Sequence, residues 1–415
     1  MYTYMTDHEE DIEQDIKAVK DEGEPTSVME PLLVGETARR SAGLTDLALQ
    51  LAQRSAGFRR SLPASLLASL ADLVRTMNCY YSNLIEGHAT HPIDIERALN
   101  NDYSKDGKRR DLQREAAAHI AVQKWIDAGG VKGRAVEIDA IREIHRRFCE
   151  RLPKDLLLIE DPKTGKKLEM IPGALRTRDV AVGQHVAISP GAVPRFLQRF
   201  QDVYGGLGQA DTIIAAAAAH HRLAWIHPFL DGNGRVARLM SHAMLLDTLD
   251  TGAVWSIARG LARNVADYKG HLAACDQPRR GELDGRGNLT EEAIVDFTRF
   301  FLRLCLDQVE FMESLVQPDR LRARILTWAE EEIRLGHLPP KSSVILEAIL
   351  YRGELPRADA SGVVATGDRQ ARRIVSALLE HKVLMSDSTR APLRLAFPAA
   401  LASRWMPGLF PDRPD

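Results

Sequence analysis

The run of apolar residues from Thr212 to Ile226 constrains the fold most, because alanine and isoleucine occupy most of its positions. A helix of that composition has to be buried on most of its sides. It is predicted to end at His227, since Pro228 disfavours the α conformation in the residue before it. A second helix with an apolar stripe is predicted from Arg235 to Thr248. The sequence therefore predicts two buried helices joined by a short loop.

The loop between these helices, Asp231-Gly232-Asn233-Gly234, predicts an anion-binding site. Its amide groups and those of the following helical turn are free to bind an anion, and the helix dipole there is positive. Arg235 and Arg238 share a helix face above the loop, and paired guanidinium groups suit a polyphosphate. Asp231 offers the hard oxygen ligand that nucleotide-borne Mg²⁺ requires. His227 can act as a general base near neutral pH.

Each of these features alone is more often structural, but together they match a known signature. The stretch 227–238 resembles, residue for residue, the motif His-x-Phe-x-Asp-Gly-Asn-Gly-Arg-x-x-Arg of the Fic (filamentation induced by cAMP) family. The resemblance implies a mainly α Fic-fold helical bundle and a protein adenylyltransferase that moves AMP from Mg-ATP to a Ser, Thr or Tyr hydroxyl. It implies catalytic roles for His227 and Asn233, Mg²⁺ binding by Asp231, and nucleotide binding by Gly232, Asn233, Gly234, Arg235, Arg238 and Tyr268. Tyr268 would stack on adenine, although a purely packing role for its ring is equally open.

A second motif lies upstream, at the end of a helix predicted from Pro63 to Asn83. Ser82 and Glu86 are four positions apart on one face, and Gly87 is suited to end the helix. Ser-x-x-x-Glu-Gly resembles the inhibitory motif of the Fic family, which implies that Glu86 competes with the nucleotide for Arg238. A solvated surface glutamate is the alternative.

A hairpin is predicted between the two motifs, with one strand across Val180–Val182 and a return through Val186–Ile188. It is similar to the Fic flap, which would present backbone to an extended target segment. Arg176 and Arg178 are interpreted as solvated charges. His145 is interpreted as an ordinary core or surface histidine.

The last hundred residues predict a separate unit of three helices followed by two short strands, the pattern of a winged-helix domain. Arg369, Arg372 and Arg373 on its third helix are candidates for DNA phosphate contacts. Acidic neighbours dilute this charge, so a protein-binding or dimer module remains an alternative. The corresponding rival functions are a nucleotide-sensing DNA-binding regulator and removal of AMP from a modified protein, with Glu86 positioning water.

Composition adds further limits. The net charge of −2 gives no global bias towards nucleic acid or membrane, and no segment suits a signal peptide or a bilayer span. Four separate cysteines indicate a reducing compartment, so a cytoplasmic location is expected, and a homodimer is the commonest oligomer. His220, His221 and His227 match no zinc signature. The predicted domains are a partly disordered N-terminal extension (1–60), an inhibitory helix region (61–110), a Fic catalytic core (111–316) and a winged-helix-like domain (317–415).

Overall fold

The chain folds mainly into α-helices, as the sequence predicts. A computed structural model describes residues 19–160, 165 and 167–411, without the Ser65 side chain. The helices are α1 Glu36–Ser41, α2 Leu44–Arg60, α3 Ala64–Ile85, α4 Pro92–Leu99, α5 Gly107–Asp127, α6 Ile138–Cys149, α7 Val193–Tyr204, α8 Gln209–Ile226, α9 Asn233–Leu249, α10 Ala258–Arg263, α11 Val265–Cys275, α12 Glu291–Leu315, α13 Pro318–Arg334, α14 Ser342–Arg352, α15 Ala360–Val364, α16 Asp368–Glu380 and α17 Ala402–Trp405. The strands are β1 Leu158–Glu160, β2 Lys167–Glu169, β3 Ala181–Val182, β4 His185–Val186, β5 Glu354–Leu355, β6 Leu384–Met385 and β7 Leu393–Leu395.

The helix pair α8 and α9 forms the centre of the structure. Helix α8 is buried along nearly its whole length and contacts α2, α7, α9 and α12, which confirms the burial predicted from its composition. Helix α9 begins at Asn233, two residues before the predicted start. The earlier start is possible because Gly232 adopts a left-handed conformation with φ of 79° and so turns the chain into the helix.

The N-terminal region is part of this packing from its first described residues. Helix α2 lies against α12 and α8, and residues 19–32 run along α7. Glu24 accepts hydrogen bonds from the backbone and side chain of Ser189, and the Tyr204 hydroxyl donates to the carbonyl of Leu32 at 2.6 Å. The predicted extension over 1–60 thus differs from the structure in residues 26–60, which contain packed helices. Residues 1–18 lie outside the described residues.

Two short antiparallel hairpins precede α7. Strands β3 and β4 pair Ala181 with Val186 and Val182 with His185, around a turn in which Gly183 has φ of 60°. This is the hairpin that the sequence predicts. The hairpin of β1 and β2 was not predicted.

The C-terminal unit consists of α14, α15, α16 and an antiparallel sheet in the order β5-β7-β6. Its three helices and the strands β6 and β7 fall where the sequence predicts them, whereas β5 was not predicted. The sheet lies against α3, where the Ser69 hydroxyl donates to the carbonyl of Leu395 at 2.5 Å. Within the described part of the chain, no helix combines the length and the apolar character needed to cross a membrane.

Candidate active site

His227 follows the last turn of α8 in a left-handed conformation with φ of 51°. Its Nδ1 lies 3.2 Å from the carbonyl of Ala224. Since a carbonyl can only accept, Nδ1 carries the hydrogen and Nε2 keeps its lone pair. Burial, assisted by the charge of Arg176, lowers the pKa of His227 to about 4. The imidazole is therefore neutral near pH 7, in the form that a general base requires.

The loop after His227 is held by the Asn233 side chain. The Asn233 amide donates to the carbonyl of Phe229 and accepts from its backbone nitrogen, both at 2.9 Å. The amide of Asn233 therefore shapes the loop, and its catalytic and nucleotide-binding roles stay predictions. Asp231 stays exposed, and its Oδ1 accepts from the nitrogen of Gly232.

The chemistry of Asp231 fits Mg²⁺ delivered with a nucleotide, which needs one or two protein carboxylates besides phosphate oxygens. The part of the chain that the structure describes contains no group of three or more histidine, cysteine or acidic side chains arranged to hold a metal. Asp231 alone is consistent with a metal held mainly by the nucleotide.

Arg238 is bound to the predicted inhibitory motif. Its Nη2 donates to Glu86 Oε1 in a very short contact, and its Nε donates to the Ser82 hydroxyl at 2.9 Å. Burial alone would raise the pKa of Glu86, but the charge and hydrogen bond of Arg238 hold that pKa below its ordinary value. Glu86 is therefore a carboxylate that neutralises a buried guanidinium.

The Glu86 carboxylate also lies over the loop. A Cβ atom placed on Gly234 would come within 2.7 Å of Glu86 Oε1, so only glycine leaves room for this approach. Gly87 has φ of 84°, and the next nitrogen, of His88, donates back to the carbonyl of Asn83 at 2.9 Å. This is a Schellman ending, and it stops α3 with Glu86 beside the first turn of α9.

Arg235 has a different partner from the predicted one. Its Nη2 donates to Glu115 Oε2 at 2.9 Å and lies 3.3 Å from His88 Nδ1. The guanidinium also lies 5.2 Å from the centre of the Phe148 ring. Arg235 is 7% exposed and Arg238 is 5% exposed, so the nucleotide-binding role of Arg235 stays a prediction. Arg238 lies beside the loop together with Glu86, since a Cβ atom placed on Gly234 would come within 3.2 Å of Arg238 Nη1.

Tyr268 is likewise buried, with 3% of its surface exposed, and its hydroxyl lies 2.7 Å from His220 Nε2. The ring offers no open face on which adenine could stack. This arrangement corresponds to the packing alternative rather than to the predicted adenine wall.

Arg176, interpreted from the sequence as a solvated charge, is in fact 2% exposed. Its guanidinium donates to the carbonyls of His227 at 2.7 Å, Arg178 at 2.9 Å and Ile188 at 2.5 Å. These bonds connect both ends of the flap hairpin to the residue that carries the candidate base. Arg178 is exposed, as expected.

His145 lies beneath the loop, a role that the sequence did not indicate. Its ring is stacked on Phe229 with centroids 3.9 Å apart, and its Nδ1 accepts from the nitrogen of Gly173 at 2.9 Å. Burial lowers the pKa of His145 to about 4, so the ring is neutral. A single sequence gives no signal for this role, because only the fold brings Gly173 and Phe229 to His145.

Comparisons with known proteins concern the stretch of the chain that contains this loop. Residues 135–245 match the model of the Fic/DOC family. The chain is 32% identical over 169 residues to the Protein adenylyltransferase Fic of Drosophila willistoni and 31% identical to that of Drosophila erecta. Each alignment covers 40% of this chain and 31% of the relative, so the chain matches less than a third of the length of these proteins.

Among solved structures, a Fic family protein from Desulfovibrio desulfuricans aligns with a TM-score of 0.48 and 16% identity, over 84% of this chain and 96% of that one. Fic-1 of C. elegans aligns with a TM-score of 0.47 and 21% identity, over 67% and 73%. The family match includes α8, the loop and most of α9. Residues 135–245, which contain this loop, are therefore similar to the Fic/DOC family.

Proposed function

We propose that this chain is a protein adenylyltransferase that transfers AMP from Mg-ATP to a hydroxyl group of a target protein. The observation that carries the proposal is the loop between α8 and α9, with a neutral imidazole at one end and the Arg238 guanidinium at the other. Free amides at a helix start attract phosphate, and both flanking groups have the protonation state that the reaction needs.

In the proposed reaction, the triphosphate lies along residues 232–234 and its outer phosphates approach Arg238. The target hydroxyl attacks the α-phosphorus in line, and the bond from that phosphorus to the bridging oxygen breaks. His227 Nε2 takes the hydroxyl proton, and pyrophosphate leaves. Asp231 would hold the Mg²⁺ that accompanies the nucleotide and offsets phosphate charge. Catalysis of this kind rests on positioning and charge stabilisation, so a displaced phosphate lowers the rate.

We further propose that Glu86 inhibits the reaction by competing for Arg238. Its carboxylate is charged, is bonded to Arg238 and lies against Gly234, where an outer phosphate would otherwise be bound. A carboxylate–guanidinium pair and a phosphate–guanidinium pair use the same fork of donors, so the two are mutually exclusive.

The test is labelling with ATP radioactive at the α-phosphate. Glu86→Gly should raise self-labelling about tenfold or more over wild type, the change expected when roughly 1.4 kcal/mol of competition is removed. Adding His227→Ala should abolish the label. Glu282→Gly, at a glutamate whose side chain is 94% exposed, is the matched control and should behave as wild type. Equal labelling of wild type and Glu86→Gly would contradict the inhibitory role.

The reverse reaction, removal of AMP from a modified protein, would use the same site with Glu86 positioning a water. Glu86 contacts Arg238 through its Oε1 atom, and the Glu86 side chain is 35% exposed. Incubating wild type and Glu86→Gly with an AMP-bearing target distinguishes the directions, because the reverse reaction would need Glu86.

A DNA-binding role for the C-terminal unit is the second candidate, and the exposed face of α16 favours it. Arg369, Arg372 and Arg373 point away from the buried face that α16 forms with Ile374 and Leu378. Such a stripe suits phosphate contacts. A gel shift that weakens with salt and is lost in the triple alanine variant would support it, with Arg303→Ala and Arg320→Ala as controls.

A further inference from the structure

The last turn of α3 is held from two opposite sides. On one side Ser82 and Glu86 contact Arg238, as described above. On the other side the hydroxyl of Tyr81 donates to the carbonyl of Leu409 at 2.9 Å, and both residues are almost completely buried. The neighbouring Tyr80 ring meets Phe410 edge-on, with centroids 5.5 Å apart. Leu409 and Phe410 therefore contact α3 just before Glu86.

The segment that supplies this contact, residues 405–410, is itself held by side chains of α10 and α13. Trp405 packs edge-on against Trp328 of α13 with centroids 5.2 Å apart. Arg259 of α10 donates to the carbonyl of Gly408 at 2.9 Å, and its guanidinium lies 3.5 Å from the centre of the Phe311 ring. The carbonyl of Leu409 is therefore presented to Tyr81 from a rigid support rather than from a loose tail.

Further contacts tie the start of α3 and the adjacent α4 to the same C-terminal unit. Besides the bond of Ser69 to Leu395, Glu96 of α4 pairs with Lys382 at 3.1 Å and accepts from the nitrogen of Ala399 at 2.7 Å. Helix α3 thus lies between the catalytic core and the C-terminal unit along its length. The C-terminal unit therefore contacts α3 near its start, and residues 405–410 contact it near its end.

We propose that Tyr81 is a positioning residue, which holds Glu86 on Arg238 through its hydrogen bond to Leu409. This proposal rests on the inhibitory role of Glu86 proposed above. Helix ends fray at low cost, so the last turn of α3 has an accessible released state unless contacts outside the helix oppose it. The bond from Tyr81 is such a contact, and breaking it leaves a buried carbonyl without a donor.

The consequence is a link between the C-terminal unit and the catalytic site. A partner that pulls residues 405–410 away from α3 would favour the released state, in which Arg238 is open to phosphate. By linkage, a bound nucleotide would weaken the contact between α3 and residues 405–410 to the same extent.

Tyr81→Phe tests the proposal because it removes only the hydroxyl. Loss of one such hydrogen bond should raise self-labelling about fivefold. The affinity for a non-hydrolysable ATP analogue, measured by calorimetry, should rise by a similar factor. Tyr204→Phe is the matched control, since Tyr204 is also buried and donates to a backbone carbonyl, that of Leu32, away from α3. It should leave both quantities unchanged.

The decisive comparison repeats Tyr81→Phe in the Glu86→Gly background, where no further rise is expected. A rise of equal size in both backgrounds would show that Tyr81 acts independently of Glu86 and would overturn the proposal. So would unchanged or lower labelling and affinity in Tyr81→Phe alone, provided Glu86→Gly is active. If Glu86→Gly itself shows no gain, the inhibitory role fails and the positioning role falls with it. Phe410→Leu, which weakens the contact with Tyr80, should act in the same direction as Tyr81→Phe.

Discussion

At the residue scale, the chemistry of the site depends on a histidine that burial keeps neutral. An exposed histidine is half protonated near pH 6.5, whereas the pKa of His227 is about 4. Because the neutral fraction of a base grows as pH rises through its pKa, His227 has the form that the proposed general base requires well below neutral pH.

We therefore expect kcat/KM of the Glu86→Gly variant to stay level, within about twofold, from pH 8 down to pH 5.5, since kcat/KM reports the free enzyme. Initial rates with labelled ATP across this range provide the measurement. With an ordinary histidine, the activity would instead fall to half near pH 6.5 and to roughly a tenth at pH 5.5. Such a decline would contradict the neutral assignment.

The residues that the sequence identified and those that it missed differ in one physical respect. His227, Gly232 and Arg238 lie in one short window and Glu86 lies in a second short motif, so a local pattern marks each of them. Glu115 is 120 positions from Arg235, and Arg176 is 51 positions from His227. Nothing local to Glu115 or Arg176 distinguishes a paired, buried charge from a solvated one, because only the fold brings the partners together.

At the element scale, the flap hairpin is connected to the site by the Arg176 side chain. Burial lowers the pKa of Arg176 to about 10, so the guanidinium still carries its charge at neutral pH. Its donors satisfy backbone carbonyls at both ends of the hairpin and at His227. Arg176 therefore connects the hairpin to His227, alongside the contact of His185 Nε2 in β4 with the carbonyl of Trp225 at 2.8 Å.

Arg176→Ala should lower the free energy of unfolding by about 3 kcal/mol, because it leaves several buried carbonyls without a donor. It should also reduce labelling of the Glu86→Gly variant, since the flap and His227 lose their common anchor. Denaturant unfolding measures the first effect and the α-phosphate label the second. Arg178→Ala, two positions away and exposed, should change stability by less than about 0.5 kcal/mol. Equal effects of the two variants would argue against the anchoring role.

Elements were predictable to the extent that periodicity marks them. The apolar spacing along α3, α8 and α16 located these helices within a few residues. Strands β1, β2 and β5 were not predicted, although they are no shorter than β3, β4 and β6, which were. The packed helices between residues 26 and 60 were missed because the charged residues before them dominated the interpretation of the whole extension.

At the scale of the whole molecule, five buried histidines are kept neutral by the fold. Burial lowers their pKa values to about 3 or 4, against an ordinary value near 6.5. The unfolded chain binds protons at these positions from pH 6.5 downward, while the native chain does not until about pH 4. The stability that these histidines contribute is therefore fully present above pH 6.5 and is lost as the pH falls towards 4. The histidines are His119, His145, His220, His221 and His227.

We expect the midpoint of thermal unfolding to fall markedly between pH 7.5 and pH 5, with each histidine contributing up to about 1.4 kcal/mol per pH unit below 6.5. Calorimetry or circular dichroism at a series of pH values would measure this. His119 is the best position at which to test this explanation, because both of its ring nitrogens are buried without a hydrogen-bond partner. His119→Leu should flatten the dependence, and a midpoint unchanged down to pH 5 in the wild type would refute the explanation.

The left-handed backbone of His227 has a practical consequence. Glycine adopts a positive φ with less backbone strain than alanine does, because glycine has no Cβ atom. His227→Gly would remove the proposed base and would also relieve the backbone strain at this position. It is therefore a better inactive variant than His227→Ala. Under the proposed function, such a variant would bind the target protein without transferring AMP to it.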